Sequence, residues 1–173
     1  RGDERAAEVL TLRLTPVVLA HAYRLLGDRA EAEDVAQEAM LKLWRMAASW
    51  RQGEAKVTTW LYRVVANACT DRLRKRRTVE LEAVAEPEDG AASVEAQLQE
   101  RVRVDALQEA LSALPERQRQ AVVLRHIEGL ANPEIAAIMD VNIEAVESLT
   151  ARGKRALKAA LEGRKDELGY EDD

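Results

Sequence analysis

A chain of 173 residues rich in Ala, Leu, Arg and Glu, with no Phe, 8 Gly and 4 Pro, favours helices over strands and is long enough for one or two domains. No apolar run approaches the ~18 residues a membrane helix needs, no charged-then-apolar leader opens the sequence, and the lone Cys69 excludes an internal disulfide and suits a reducing cytosol. The net charge of −5 conceals a segregation: residues 1–79 hold 15 Lys/Arg against 10 Asp/Glu, residues 80–104 hold 2 against 7, and the tail from residue 162 holds 2 against 6.

In chain order, Ala6, Val9, Leu10 and Leu14 recur at helical spacing and predict a first helix over residues 3–14. Thr15-Pro16 reads as an N-cap followed by proline at the first helical position, so a second helix is expected from there to Leu26. Gly27 breaks it. Asp28 with Glu31 forms the Asp version of a capping box and opens a helix through Met46, its stripe being Val35, Ala39, Met40, Leu43 and Trp44. Residues 48–57 lose the period and read as a loop. Thr58 or Thr59 is the expected cap of the next helix, which buries Trp60, Leu61, Val64, Val65, Ala68, Cys69 and Leu73. Opposite them Arg63, Asn67, Thr70 and Arg74 form a polar stripe, and five of residues 72–77 are basic. Trp44 and Trp50 are expected in packing roles.

Residues 78–93, with Pro87, Gly90 and a dense set of acids, read as a flexible linker. Helical period resumes near Val94 and persists to Leu114, followed by helices over 115–127, 133–139 and 143–161. Only Asp140-Val141-Asn142 separates the last two, the signature of a helix-turn-helix, with Asn132 and Asn142 as expected caps. The expected fold is therefore all-α: a helix bundle over 1–78, an acidic linker over 79–93, a helix-turn-helix domain over 94–163 and an acidic tail over 164–173.

In a helix-turn-helix the second helix enters the major groove. Here its first turns offer Asn142, Glu144, Glu147, Ser148 and Arg152, and Arg152, Lys154, Arg155 and Lys158 make its second half basic. Glu147 suits a cytosine amino group, and Arg152 suits guanine or phosphate. A packing unit with a solvated basic face is the alternative. The cluster Arg72, Arg74, Lys75, Arg76 and Arg77 exceeds what a helix dipole rewards. With Arg63, Asn67 and the neighbouring Trp60 and Tyr62 it suits a nucleic-acid strand with unstacked bases. By charge alone, that contact and a solvated face both stand. His21 and His126 stand alone, without a metal-ligand pattern, and no carboxylate pair, activated nucleophile or phosphate loop points to an enzyme. Neither cofactor nor metal is implied.

Three blocks, DRAEAEDVAQEAMLKLW, TTWLYRVVANACTDRLRKRR and ALPERQRQAVVLRHIEGLANPEIAAIMDVNIEAVESLTARGKRAL, resemble a bacterial extracytoplasmic-function (ECF) sigma factor over residues 10–161. The resemblance implies a transcription initiation factor of two regions, acting in the cytoplasm. Glu33, Asp34, Val35, Gln37, Glu38 and Leu41 would dock on core RNA polymerase. Arg63 and Asn67 would hold an extruded base of the −10 element, assisted by the loop over residues 51–59, while Arg74, Lys75, Arg76 and Arg77 follow phosphates. Asn142, Glu144, Glu147, Ser148, Arg152 and Arg155 would meet the −35 element. An anti-sigma factor would cover both domains, and the acidic linker would act either as a spacer or as a nucleic-acid mimic within polymerase. Where such factors often carry Gly-Thr-Val-Lys-Ser-Arg, this chain has Glu144-Ala145-Val146-Glu147-Ser148-Leu149, so a variant −35 preference is expected. A sigma-mimicking regulator and a stand-alone helix-turn-helix repressor or activator are the rival readings.

Overall fold

The computed structural model describes residues 3–51, 53, 55–80 and 95–164. Helices α1 (Glu4–Leu26), α2 (Arg29–Ala47) and α3 (Val57–Glu80) form one bundle. The other comprises α4 (Glu95–Ala113), α5 (Glu116–Val122), a π-helical turn (Val123–Ile127), α6 (Asn132–Met139) and α7 (Ile143–Glu162), and no strand occurs among the described residues. The fold is all-α, with two helical domains. Most of the expected linker, and all but the first residue of the tail, lie outside the described residues.

Local chemistry sets most boundaries. Asp3 caps α1 by accepting from the Arg5 and Ala6 amides at 3.1 and 3.2 Å. Gly27, at φ 68, closes that helix by donating its amide to the Tyr23 carbonyl. Asp28 accepts from the Glu31 amide at 2.9 Å, but the Glu31 carboxylate turns to Arg76, so only half of the capping box forms.

Four expectations are corrected. First, α1 runs unbroken through Pro16. Proline removes the hydrogen bond to the Leu12 carbonyl, but Leu12 and Pro16 both lie on the exposed side, where water can replace it. Leu14, Val18 and Leu19, on either side of the proline, pack into one core that a break would split. Second, α1 is long and apolar enough, by length and composition alone, to cross a membrane. In this fold its C-terminal half packs into the core through Val18, Ala22, Leu25 and Leu26, while Val9, Leu10, Leu12 and Val17 stay exposed. Third, α3 starts at Val57, so Thr58 and Thr59 are inside the helix, and it continues to Glu80 past the expected linker boundary. Fourth, α6 begins at Asn132 without a side-chain cap, Ala131 holding the cap position. Asn142 does cap α7, its side chain accepting from the Ala145 amide at 2.8 Å.

The two bundles are not beads on a string. Leu111, Leu114, Val122 and Val123 complete the core built by α1, α2 and α3. Conversely, Tyr62 and Ala66 of α3 sit in the second core with Leu124, Ile135, Ile138 and Val146. Separating the domains would expose apolar surface on both sides.

Candidate nucleic-acid interface

The helix-turn-helix owes its shape to two residues. Asp140, at φ 55, is the only non-glycine in the left-handed region among the described residues and turns the chain out of α6. Gly153 lets α7 lie directly on α5: a Cβ there would stand 2.5 Å from Val122 Cγ2 and 3.1 Å from the Gln118 carbonyl. With Val146 and Gly153 buried against the domain, Glu144, Glu147, Ser148, Arg152 and Arg155 are all exposed, at spacings that make one stripe along α7. Asn142 is also exposed, but its side chain is engaged as the cap.

On α3 the separation of faces is equally clear. Leu61, Val65 and Cys69 are buried, whereas Arg63 and Asn67 are exposed. Burial pushes the Cys69 thiol up to about 12, partly opposed by Arg72. The basic cluster divides. Arg74 and Lys75 are exposed, Arg74 lying 3.8 Å from Asp71. Arg77 donates to Glu116 on α5 at 2.8 Å. Arg76 is a structural residue in this arrangement, donating to the Leu26 carbonyl at 3.0 Å and pairing with Glu31. It caps the C-terminus of α1. Trp60 packs partly buried against the core, edge-to-face with Trp50 at 6.0 Å.

On α2, Glu33, Asp34, Gln37 and Leu41 face solvent, and Leu41 is 57 % exposed. Val35 does not join them. It is fully buried, one helical step round from its neighbours, and belongs to the core. Glu33 pairs with Arg29 at 3.1 Å, and Glu38 with Lys42 at 3.0 Å. Between α1 and α2 runs a largely apolar groove of about 640 Å³, with Leu19, Met40 and Trp44 among its lining and Glu33 and Gln37 contributing polar groups.

Sequence reading missed the polar contacts that join the domains. The Arg119 guanidinium, on α5, donates to the carbonyls of Leu111 (2.8 Å), Ser112 (2.9 Å) and Leu114 (2.9 Å), and across the seam to Leu25 (2.6 Å). Burial lowers its pKa, with Arg76 adding to that and Glu116 opposing it. Gln108 adds bonds to the Tyr23 and Arg24 carbonyls at 3.3 Å each. His21 is not alone: its Nδ1 lies 3.2 Å from Glu128, which also accepts from Arg24 at 3.1 Å and the Tyr62 hydroxyl at 2.9 Å. Burial alone would raise the pKa of Glu128, but the hydrogen bonds and charges of these partners outweigh it and hold the carboxyl below its ordinary value. Burial and Glu128 together push the Tyr62 phenol upward. The sequence carries little signal for this cluster, because the partners of Glu128 lie as many as 107 residues away.

An exposed basic face on one helix, joined to a helix-turn-helix whose second helix shows a continuous polar stripe, has the layout of a helix-turn-helix transcription factor. Comparison with known proteins narrows the class. Sigma-70 region 2 matches residues 10–79, and Sigma-70, region 4 matches residues 105–157. The chain is 32 % identical to the RNA polymerase sigma-H factor of Pseudomonas aeruginosa, over 94 % of this chain and 89 % of that protein. It is 31 % identical to the ECF RNA polymerase sigma factor SigW of Bacillus subtilis, over 93 % and 91 %. Among solved structures it resembles the sigma factor RpoE in complex with the anti-sigma factor NepR from Bartonella quintana (TM-score 0.70, 25 % identity, 90 % of this chain and 96 % of that one). It also resembles CnrH in complex with the cytosolic domain of CnrY (TM-score 0.67, 26 % identity, 94 % and 91 %). The chain belongs to the ECF sigma factors of the sigma-70 family, the transcription initiation factors that act with RNA polymerase.

Proposed function

We propose that the α1–α3 bundle docks on core RNA polymerase through Glu33, Asp34, Gln37, Glu38 and Leu41 of α2, in the cytoplasm and without catalytic chemistry of its own. Arg63 and Asn67 then hold an unpaired base of the −10 element, while Arg74 and Lys75 follow its phosphates. Arg77 joins them once it leaves Glu116. Arg152 and Arg155 anchor α7 on the −35 duplex, where Glu144, Glu147 and Ser148 face base edges. Phosphate contacts supply affinity and register, and the base-edge groups supply preference.

The observation carrying this reading is that Arg63 and Asn67 on α3, and the five-residue stripe on α7, are exposed while the alternate faces of both helices are buried. A single chain thereby offers one surface suited to a melted strand and one suited to an intact groove. An anti-sigma factor is the proposed regulator, supported by the likeness to two sigma factors solved with such partners. The groove between α1 and α2 and the seam beside α3 are the surfaces it would cover. Transcription in vitro from a genomic library, with purified chain and core polymerase, is expected to give promoter-dependent transcripts. Core polymerase that remains silent on every template with this chain refutes the proposal.

A further inference from the structure

Nothing among the described residues accounts for the acid at Glu147. It stands exposed in the second turn of α7, beyond the first turn in which a helix dipole rewards a carboxylate. Glu144, by contrast, is the first-turn acid of that helix and has such a role. The residues one turn from Glu147 are Ile143, Glu144, Thr150 and Ala151. No cation is therefore placed to pair with it along the helix, and Glu144 adds a like charge. Among the described residues Glu147 makes no ion pair with another element either. The carboxylate thus slightly weakens the helix that carries it.

The packing of α7 decides what that carboxylate can reach. Val146 is fully buried and Leu149 packs against the second core, which fixes the rotation of the helix and turns Glu147 away from its own domain. Ala151, one turn further on, is exposed and ends at Cβ, so it leaves room for a groove floor to approach Glu147. The second half of α7 is basic, with Arg152, Lys154, Arg155 and Lys158 all exposed to phosphates. Once those cations hold the helix in a groove, Glu147 lies between two rows of negative charge. It can stay there without penalty only where a base edge supplies a hydrogen.

We infer, resting on the groove-reading role proposed above for α7, that Glu147 reads a cytosine in the upstream duplex and does so mainly by penalising the other three bases. An ionised carboxylate only accepts hydrogen bonds. In the major groove cytosine presents its N4 amino group as a donor, whereas guanine presents two acceptors and thymine an acceptor and a methyl group. Adenine sets its N7 acceptor beside its N6 donor. At guanine or thymine the carboxylate gives up water and meets a lone pair or a methyl, and at adenine the N7 lone pair offsets the N6 donor. Those are costs, not missing gains, so selectivity at this base pair comes from charge more than from fit.

The test uses the full chain, tagged at its N-terminus and assembled with core polymerase. It is presented with a duplex pool randomised over the length of a promoter, and the duplexes retained through the tag are sequenced. The wild type should enrich cytosine at one upstream position by about 5-fold or more over each other base. Glu147→Ala should flatten that position to within about twofold and leave the rest of the motif unchanged. Glu147→Gln keeps the shape and adds a donor, and it should move the preference from cytosine to adenine, because an amide pairs with N6 and N7 together. Both variants alter an exposed side chain without partners, so their melting temperatures should match the wild type. An identical profile in all three proteins overturns the cytosine reading, as does a wild type with no upstream cytosine. A downstream motif recovered without any upstream one removes α7 as a reader and Glu147 with it, while the polymerase function stands. A tagged chain that retains no polymerase defeats the sigma-factor function, and the cytosine reading with it, before any sequence is read.

Discussion

Replacing Arg119 by lysine isolates what a fork of donors contributes in a place where charge alone is insufficient. The guanidinium reaches four carbonyls, three from the end of α4 and the turn after it and one from the end of α1, all within 2.6–2.9 Å. These carbonyls lie at helix ends where intrahelical partners run out, Leu111 alone also accepting from the Leu114 amide at 3.1 Å, and Arg119 is only 9 % exposed, so water cannot easily replace it. Lysine carries its donors on one nitrogen and cannot span four acceptors in two chain segments. Two carbonyls are then left buried and unpaired, at about 1–2 kcal/mol each, so Arg119→Lys should lose about 2–4 kcal/mol. Arg119→Ala, which abandons all four bonds and leaves a void, should lose about 3–5 kcal/mol. In a urea titration with a slope of about 2 kcal/mol per molar, the lysine variant should unfold at a midpoint about 1–2 M lower. A midpoint within about 0.3 M of wild type, with an unchanged slope, would show that the fork does not matter.

Further perturbations probe separate parts of the molecule. Gly153→Ala drives a methyl into Val122, and the overpacking outweighs the gain in helix propensity to leave a net loss of about 1–2 kcal/mol. Its melting temperature should fall by about 3–8 °C, whereas an equal or higher value would mean that α7 can move away from α5 freely. Arg74→Ala with Lys75→Ala should weaken promoter-complex formation and flatten its log–log dependence on salt by about 0.7 for each lost single-strand phosphate contact. An unaltered slope places both side chains off the strand. The carboxyl of Glu128 is held below its ordinary pKa in the folded protein, so its contribution is full above the unfolded-state value and disappears as pH falls through the depressed one. Urea titrations in acid below the ordinary glutamate range should therefore show a smaller loss of stability for Glu128→Gln than for the wild type, and equal losses would mean that the carboxylate contributes nothing.

Local rules written into neighbouring residues were readable in the sequence. Asp28 and Asn142 cap the helices they were expected to cap, the α7 stripe follows directly from residue spacing, and the Arg63–Asn67 face is exposed as its period implies. Errors arose where tertiary packing overrode a local signal. Pro16 reads as a helix start, yet the shared core beneath it keeps α1 continuous. Val35 sits in an acidic run that looks like a surface, but its own angle on the helix takes it inside. Arg76 is indistinguishable from its basic neighbours until the end of α1 is brought beneath it. The seam itself was illegible because its members are far apart: the Arg119–Leu25 bond spans 94 positions, and no periodicity encodes such a pairing.

Trp44, Trp50 and Trp60 are the chain's three tryptophans, and all belong to the N-terminal bundle or the loop preceding α3. The C-terminal helices are thus dark in indole fluorescence, and a spectral change on binding reports the surroundings of the first domain, the core it shares with Leu111, Leu114, Val122 and Val123 included. Since the Trp50–Trp60 pair lies where the chain leads into α3, it offers an unlabelled optical test of the strand capture proposed for that helix.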